Sequence, residues 1–182
     1  MEKTDLIAQI KSKSVETFDQ LIEQYGDRLY WHIRRIVVQH EEAEDVMQET
    51  FTRAFLSIGD FRGETESSLT AWLYRIATNL AIRALQKRKR GIFSSLDSVR
   101  GDLLATFEHE VEPSADEIVV RLQRVILSLP TKQRLVFNMR YYDELSFEQI
   151  SQATGQSVST LKTNYHYAVQ KIKEQVKVIE IE

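Results

Sequence analysis

Apolar residues recur at intervals of three and four along most of this chain, and no segment shows the alternation that is typical of a β-strand. The clearest example is residues 71–90, AWLYRIATNLAIRALQKRKR. Its apolar stripe comprises Leu73, Ile76, Ala77, Leu80 and Ala84. Each such stripe must pack against another helix, so the sequence predicts an all-α protein.

The helical pattern divides the 182 residues into two parts. Before residue 92 it predicts helices over 15–38, 40–61 and 71–90, with a possible joint at Gly26-Asp27 and a cap at Ser67 or Ser68. After residue 118 it predicts four short helices. Between them the period disappears, and residues 93–117 hold seven acids against one arginine. We therefore predict two small helical domains, 1–92 and 118–182, joined by an acidic linker, 93–117, whose apolar residues dock on this chain or on a partner.

Composition excludes several classes of protein. The chain has no cysteine, which excludes disulfides and thiolate metal sites. No apolar run approaches a membrane span and no signal-peptide core is found, so we expect a soluble, cytoplasmic protein. The four histidines are scattered, without a zinc-protease pattern, and are expected to be surface or partly packed residues. We expect no catalytic residue, metal site, cofactor or small-molecule substrate.

The polar face of residues 71–90 allows two interpretations. This segment carries six Lys or Arg residues and no acid, and Trp72, Arg75, Asn79, Arg83, Gln86 and Arg90 share one arc of the helix. Cations, an amide and an aromatic ring suit a polyanion with stackable bases. A solvated helix whose basic end complements the helix dipole would show the same pattern.

The preceding helix is acidic at its start, with Glu41, Glu42, Glu44, Asp45 and Glu49 among its first ten residues. Acids are favoured at a helix N-terminus, which is one explanation. Their number exceeds what the helix dipole needs and suggests a face that docks on a basic protein. A carboxylate metal cage is a weaker alternative, because no histidine has the spacing of the known helical-bundle sites.

Residues 146–166 have the pattern of a helix-turn-helix. Ser146 and Gln149 form a capping box, Gly155 supplies the turn, and Ser157 can cap the second helix. Six polar residues of that helix lie outside its apolar stripe: Ser159, Thr160, Lys162, Thr163, Asn164 and His166. Short hydroxyls, an amide and a cation suit base edges and phosphates, although an ordinary helical hairpin would also expose a polar face.

Four stretches together resemble a bacterial extracytoplasmic-function (ECF) sigma factor. They are AEDVMQETF at 43–51, Phe61 followed by Trp72-Leu73-x-x-Ile76-Ala77-x-Asn79, Leu129-Pro130-x-x-x-Arg134, and Ser146-x-x-x-Ile150 leading to Thr160-Leu161-Lys162. Their order and separation match the family over residues 15–92 and 118–175.

The resemblance implies a non-enzymatic protein that directs RNA polymerase to promoters, with residues 1–92 as sigma region 2 and residues 118–182 as sigma region 4. Core polymerase would be bound through its β′ clamp helices by Glu44, Asp45, Gln48 and Glu49, and also through its β flap. The −10 element would be contacted by Phe61, Arg62, Trp72, Arg75, Asn79, Arg83 and Lys87. The −35 element would be contacted by Ser159, Thr160, Lys162, Thr163, Asn164 and His166. An anti-sigma factor is a further expected partner.

The chain departs from the family pattern at two places. Members usually have an acid near the position of Arg83, and arginine near the positions of Asn164 and Tyr167. Two other functions fit parts of the pattern: a conventional helix-turn-helix regulator with an N-terminal protein-interaction domain, and an anti-activator that binds only proteins.

Overall fold

The computed structural model describes residues 7, 10, 11, 15–88, 100–112 and 115–179. These residues form eight helices of 8 to 23 residues and no strand, which confirms the predicted all-α class. The helices are α1 Val15–Val37, α2 His40–Ser57, α3 Glu66–Arg88, α4 Arg100–Glu110, α5 Glu117–Ser128, α6 Thr131–Tyr141, α7 Phe147–Thr154 and α8 Val158–Ile179. A single 3₁₀ turn, Ile58–Asp60, follows α2.

Helices α1, α2 and α3 pack on one another around fully buried side chains such as Leu21, Leu29 and Leu73. The joint considered at Gly26-Asp27 is absent, because α1 runs unbroken through both residues. Tyr25 and Leu29, on either side of this pair, are buried in the core. Packing of this face outweighs the modest helix penalty of one glycine.

Helix α3 begins five residues earlier than predicted, and its cap is Thr65 rather than Ser67 or Ser68. The Ser68 amide donates to Thr65 Oγ1 at 3.1 Å, and the Thr65 amide donates to Ser68 Oγ at 3.2 Å. This reciprocal pair satisfies backbone groups at the start of the helix. The two serines therefore lie in the first turn, and Leu69, which is buried one turn before Leu73, was the available signal for the earlier start.

Three helices cover α3. Its buried residues span an arc of about 200°, at 100° per residue, whereas a surface helix buries about 100°. Helices α1 and α2 cover part of this arc, and α7 of the helix-turn-helix covers the rest. As a result, Ile150 and Ala153 of α7 belong to the same continuous core as Leu73 and Ala77 of α3.

The C-terminal helices form the predicted helix-turn-helix. Ser146 Oγ accepts from the Gln149 amide at 3.1 Å and the Gln149 side chain accepts from the Ser146 amide, which confirms the capping box. Gly155 ends α7 with φ of 74°, in the left-handed region that glycine tolerates. Ser157 Oγ accepts from the Thr160 amide at 3.1 Å and caps α8, as predicted.

Helix α4 lies inside the predicted linker, where the sequence shows no helical period. Its Leu103 is fully buried in the continuous core that includes residues of both the N-terminal and the C-terminal helices, while Leu104 and Phe107 pack at its edge. Glu110 forms an ion pair with Arg34 of α1 at 2.5 Å, and Glu108 pairs with Arg124 of α5. The apolar linker residues described here therefore dock on this chain.

Candidate polymerase and DNA interfaces

The acidic face of α2 is open to solvent. Ala43, Val46 and Thr50 point into the core, and the acids and the amide on the opposite side of the helix point outward. The four residues proposed for polymerase binding, Glu44, Asp45, Gln48 and Glu49, are all exposed. Within the described residues, Asp45 has no ion pair, whereas Glu49 pairs with Arg53 one turn later at 2.6 Å.

Not every acid of this first turn belongs to the open face. Glu42 forms an ion pair with Arg88 at the end of α3, and the Arg88 guanidinium also donates to Val37 O at 3.1 Å and to Gln39 Oε1 at 3.2 Å. This arginine satisfies the last carbonyl of α1 and joins three helices. One of the four cations that end residues 71–90 therefore has a structural role, and Lys89 and Arg90 lie outside the described residues.

The polar arc of α3 is the largest uncovered part of that helix. Arg75, Asn79 and Arg83 are exposed on successive turns, and Lys87 is exposed one turn beyond them. No ion pair of these cations is found in the part of the chain that the structure describes. The arc thus presents an amide between cations to solvent, which is the arrangement that a phosphate backbone with accessible bases requires.

The loop before α3 supports one end of this arc. The Phe61 ring is 7 % exposed and lies 5.1 Å from the Trp72 ring, which is half-buried. Phe61 therefore holds Trp72 in place rather than facing solvent, while Arg62 is exposed. A side chain on Gly63 would overlap the Phe61 ring and the Ser68 hydroxyl, so the shape of this loop depends on glycine at that position.

A groove of about 570 Å³ separates α2 from α3. Asp45 and Glu49 line one side of it, and Arg83 and Lys87 line the other. Two of the residues proposed for polymerase binding and two of those proposed for −10 binding therefore line the same groove. Arg83, the position at which the family usually has an acid, faces the acidic helix across it.

The N-terminal half of α8 exposes the residues proposed for the −35 element. Leu161 is buried, whereas Ser159, Thr160, Lys162, Thr163 and His166 are exposed and Asn164 is half-buried. Some of their hydrogen-bonding capacity is used locally: Thr163 Oγ1 donates to Ser159 O at 3.1 Å. Lys162 Nζ lies 5.8 Å from the centre of the Phe147 ring and is the cation of this group.

A buried polar cluster joins α1 to the turn between α6 and α7. Asp143 Oδ2 lies 2.8 Å from His32 Nδ1, and Asp143 Oδ1 accepts from Arg35 Nη1 at 3.1 Å. The other ring nitrogen, His32 Nε2, lies 2.8 Å from Thr78 Oγ1 of α3. Because an ionised carboxylate only accepts hydrogen bonds, Nδ1 carries the proton that faces Asp143.

Two tyrosines beside this cluster have raised pKa values. Burial raises the pKa of Tyr74 well above its ordinary value, and the negative charge of Asp143 raises that pKa further. Burial also raises the pKa of Tyr142, whose ring stacks on the Arg35 guanidinium at 4.4 Å.

The expectation that every histidine is surface or only partly packed is wrong for His32, which is 1 % exposed. Its position three residues after Leu29 on the apolar stripe of α1 was the available signal. No sequence pattern predicts the burial of Asp143, because an acid in a short interhelical turn is ordinarily solvated.

Among the described residues, no helix is long and apolar enough to cross a membrane, and no group of three or more potential metal-binding side chains occurs.

Two family models match the chain. Residues 21–91 match sigma-70 region 2, and residues 120–172 match a sigma-70 region 4 model. Among similar proteins, the ECF RNA polymerase sigma factor SigW of Bacillus subtilis is 31 % identical, covering 94 % of this chain and 95 % of that protein. The RNA polymerase sigma-H factor of Pseudomonas aeruginosa is 29 % identical, covering 87 % and 85 %.

Two solved structures share the fold. One is CnrH in complex with the cytosolic domain of CnrY, with a TM-score of 0.71, 22 % identity and 97 % of each chain covered. The other is the sigma factor RpoE in complex with the anti-sigma factor NepR from Bartonella quintana, with a TM-score of 0.68, 19 % identity, and 90 % and 99 % covered.

Proposed function

The chain belongs to the ECF family of RNA polymerase sigma factors, and from this premise we propose how its surfaces divide the work of promoter recognition. Residues 1–92 act as region 2, residues 118–182 act as region 4, and residues 93–117 connect them. The observation that carries the proposal is the exposed arc of α3, Arg75, Asn79 and Arg83, beside the exposed acids of α2.

Core RNA polymerase binds the open face of α2 through its β′ clamp helices. The proposal is supported by the exposure of Glu44, Asp45, Gln48 and Glu49 and by the absence of an ion pair on Asp45 within the described residues. An unpaired surface acid is available to a partner cation, because no intramolecular ion pair must first be broken.

The −10 element binds the α3 arc as it melts. Phosphates are held by Arg75, Arg83 and Lys87, while the Asn79 amide reaches a base, and Arg62 and Trp72 lie at the edge where the duplex separates. Phe61 contributes by supporting Trp72, which lies 5.1 Å away. Arg83 also faces the acids of α2, so its charge is shared between DNA and the polymerase-binding face.

The −35 element binds α8 as duplex, with Ser159, Thr160, Thr163, Asn164 and His166 at base edges and backbone. Lys162 is the cation of this set, so the electrostatic part of binding is small for this domain alone. Binding of region 4 depends instead on the effective concentration supplied by region 2 and by a contact with the β flap.

An anti-sigma factor is the expected regulator. Support comes from the two solved structures of the same fold, one in complex with the cytosolic domain of CnrY and one with the anti-sigma factor NepR. The protein works in the cytoplasm beside RNA polymerase, uses no cofactor and catalyses no reaction itself.

Two sets of variants test the division between the surfaces. Asp45→Arg reverses one exposed charge and should abolish co-purification with core polymerase. Glu23→Arg, the same kind of change at an exposed residue of α1, should not. Arg75→Ala combined with Asn79→Ala should leave core binding intact and block open-complex formation, measured by permanganate reactivity of unpaired thymines. Equal loss of core binding and melting in the second variant would contradict the assignment of the α3 arc to DNA.

A further inference from the structure

We propose that Asp143 is a latch that holds regions 2 and 4 closed against each other, and that this latch must be released before the chain can engage both promoter elements. The requirement for release rests on the proposed function, whereas the latch is a property of the free protein alone.

Every observed side-chain hydrogen bond of Asp143 crosses between the two domains. Its two carboxylate oxygens bind His32 and Arg35 of α1, at 2.8 Å and 3.1 Å. Its main-chain oxygen accepts from Arg28 Nη2, also of α1, at 3.2 Å. The carboxylate therefore contributes to the closed arrangement and makes no described side-chain bond within its own domain.

The latch continues into α3. His32 uses its second nitrogen on Thr78, so one unbroken chain of hydrogen bonds runs from the α6–α7 turn through α1 to α3. The His32 side chain is fully buried and that of Asp143 is 3 % exposed. A buried carboxylate that loses its partners is strongly unfavourable. The domains must therefore separate far enough to hydrate Asp143, or remain closed.

The apolar part of this contact is extensive, because Ile150 and Ala153 of α7, with Leu145 just before it, belong to the same continuous core as Leu73 and Ala77 of α3. This apolar contact favours the closed arrangement by itself, and the Asp143 cluster adds a charged part to it. Removing one partner of a buried charged cluster leaves the others uncompensated, so loss of the Asp143 charge should weaken the closed arrangement.

The closed arrangement is too short to span the −10 and −35 elements of a promoter. A compact chain of 182 residues has a radius of gyration of about 16 Å and so measures about 40 Å across. The −10 and −35 elements lie about 25 base pairs apart, which is about 85 Å of duplex at 3.4 Å per base pair. The α3 arc and the α8 face cannot lie on both elements while α7 is packed on α3.

The distance between the domains tests the latch directly. Because the natural chain has no cysteine, Glu23→Cys in α1 and Gln170→Cys in α8, both exposed, give two unique sites for spin labels. Pulsed electron–electron double resonance should find one narrow distribution of label-to-label distances in the parent. Asp143→Asn should add a longer and broader population, while Glu144→Gln, which removes the same charge from the exposed neighbouring residue, should not.

A second variant guards against misfolding of the first. Arg35→Gln removes the partner of Asp143 on the other domain and should also add a longer-distance population. The free-energy effect of the double variant on opening should be smaller than the sum of the two single effects. Circular dichroism should show full helicity in all variants. An unchanged distance distribution in well-folded Asp143→Asn protein would overturn the latch.

Release should also be visible at the promoter. The apparent affinity for the promoter is the intrinsic affinity multiplied by the fraction of protein that is open, so Asp143→Asn should reach half-maximal run-off transcription at a concentration at least about threefold lower than the parent. Opening without any gain in transcription would overturn the requirement for release. If neither parent nor variant initiates, the proposed function fails, and the distance measurement still decides the latch.

Discussion

The docking of α4 depends on one side chain, Leu103, which is fully buried in the core while residues 104–110 are half-buried or exposed. Leu103→Ala removes this anchor. Large-to-small changes of buried leucine cost about 2 to 5 kcal/mol, and the lower end applies because a surface helix can relax into the space. The two ion pairs of α4 do not replace the anchor, since ion pairs near the surface contribute little.

A loss of about 2 kcal/mol corresponds to about a thirtyfold rise in the fraction of molecules with α4 undocked. Native-state hydrogen exchange should therefore show amides of residues 103–110 exchanging about thirtyfold faster, with much smaller changes in α1 and α8. Leu104→Ala is the matched control, because Leu104 is only half-buried and should accelerate exchange far less. Equal acceleration by the two variants, or no change in α4, would refute the account of how the linker docks.

Two further changes probe other contacts. Arg88→Ala should lower the free energy of unfolding by about 1 to 3 kcal/mol in urea titrations, because Val37 O and Glu42 lose their partner. The control Lys87→Ala, at an exposed residue one position earlier, should stay within about 0.5 kcal/mol of the parent. Equal losses in the two variants would contradict the structural role of Arg88. Stability should fall as pH rises above 10, because unfolded Tyr74 ionises near its ordinary pKa of 10.0 whereas the folded state, with its raised pKa, holds the proton. Tyr74→Phe should flatten this fall, and an unchanged slope would exclude Tyr74 as its source.

Much of the fold follows from local patterns in the sequence. The capping box at Ser146, the left-handed turn at Gly155 and the cap at Ser157 are each decided by residues within one helical turn, and all three are as predicted. The solvent-facing side of α3 also follows from residue spacing, because Arg75, Asn79 and Arg83 recur once per turn opposite the apolar stripe.

The features that escaped prediction depend on residues far apart in the chain. Thr78 lies 2.8 Å from His32, which α1 brings to it. The polar partners of the buried Asp143 are His32 and Arg35, which lie more than a hundred residues earlier in the chain. Helix α4 shows the same limit, since a single buried leucine produces no period that spacing could reveal. The exposed residues assigned to polymerase and DNA remain predictions of residue type and position.

Run-off transcription with purified core RNA polymerase tests the central claim most directly. The account predicts that the added protein co-purifies with core and gives a transcript that depends on both the −10 and the −35 element of the promoter. It also predicts that the protein without core binds promoter duplex only weakly, because Lys162 is the cation among the residues proposed for the −35 element. Tight binding to duplex DNA alone, with no co-purification and no promoter-dependent transcript, would contradict it and indicate a conventional helix-turn-helix regulator.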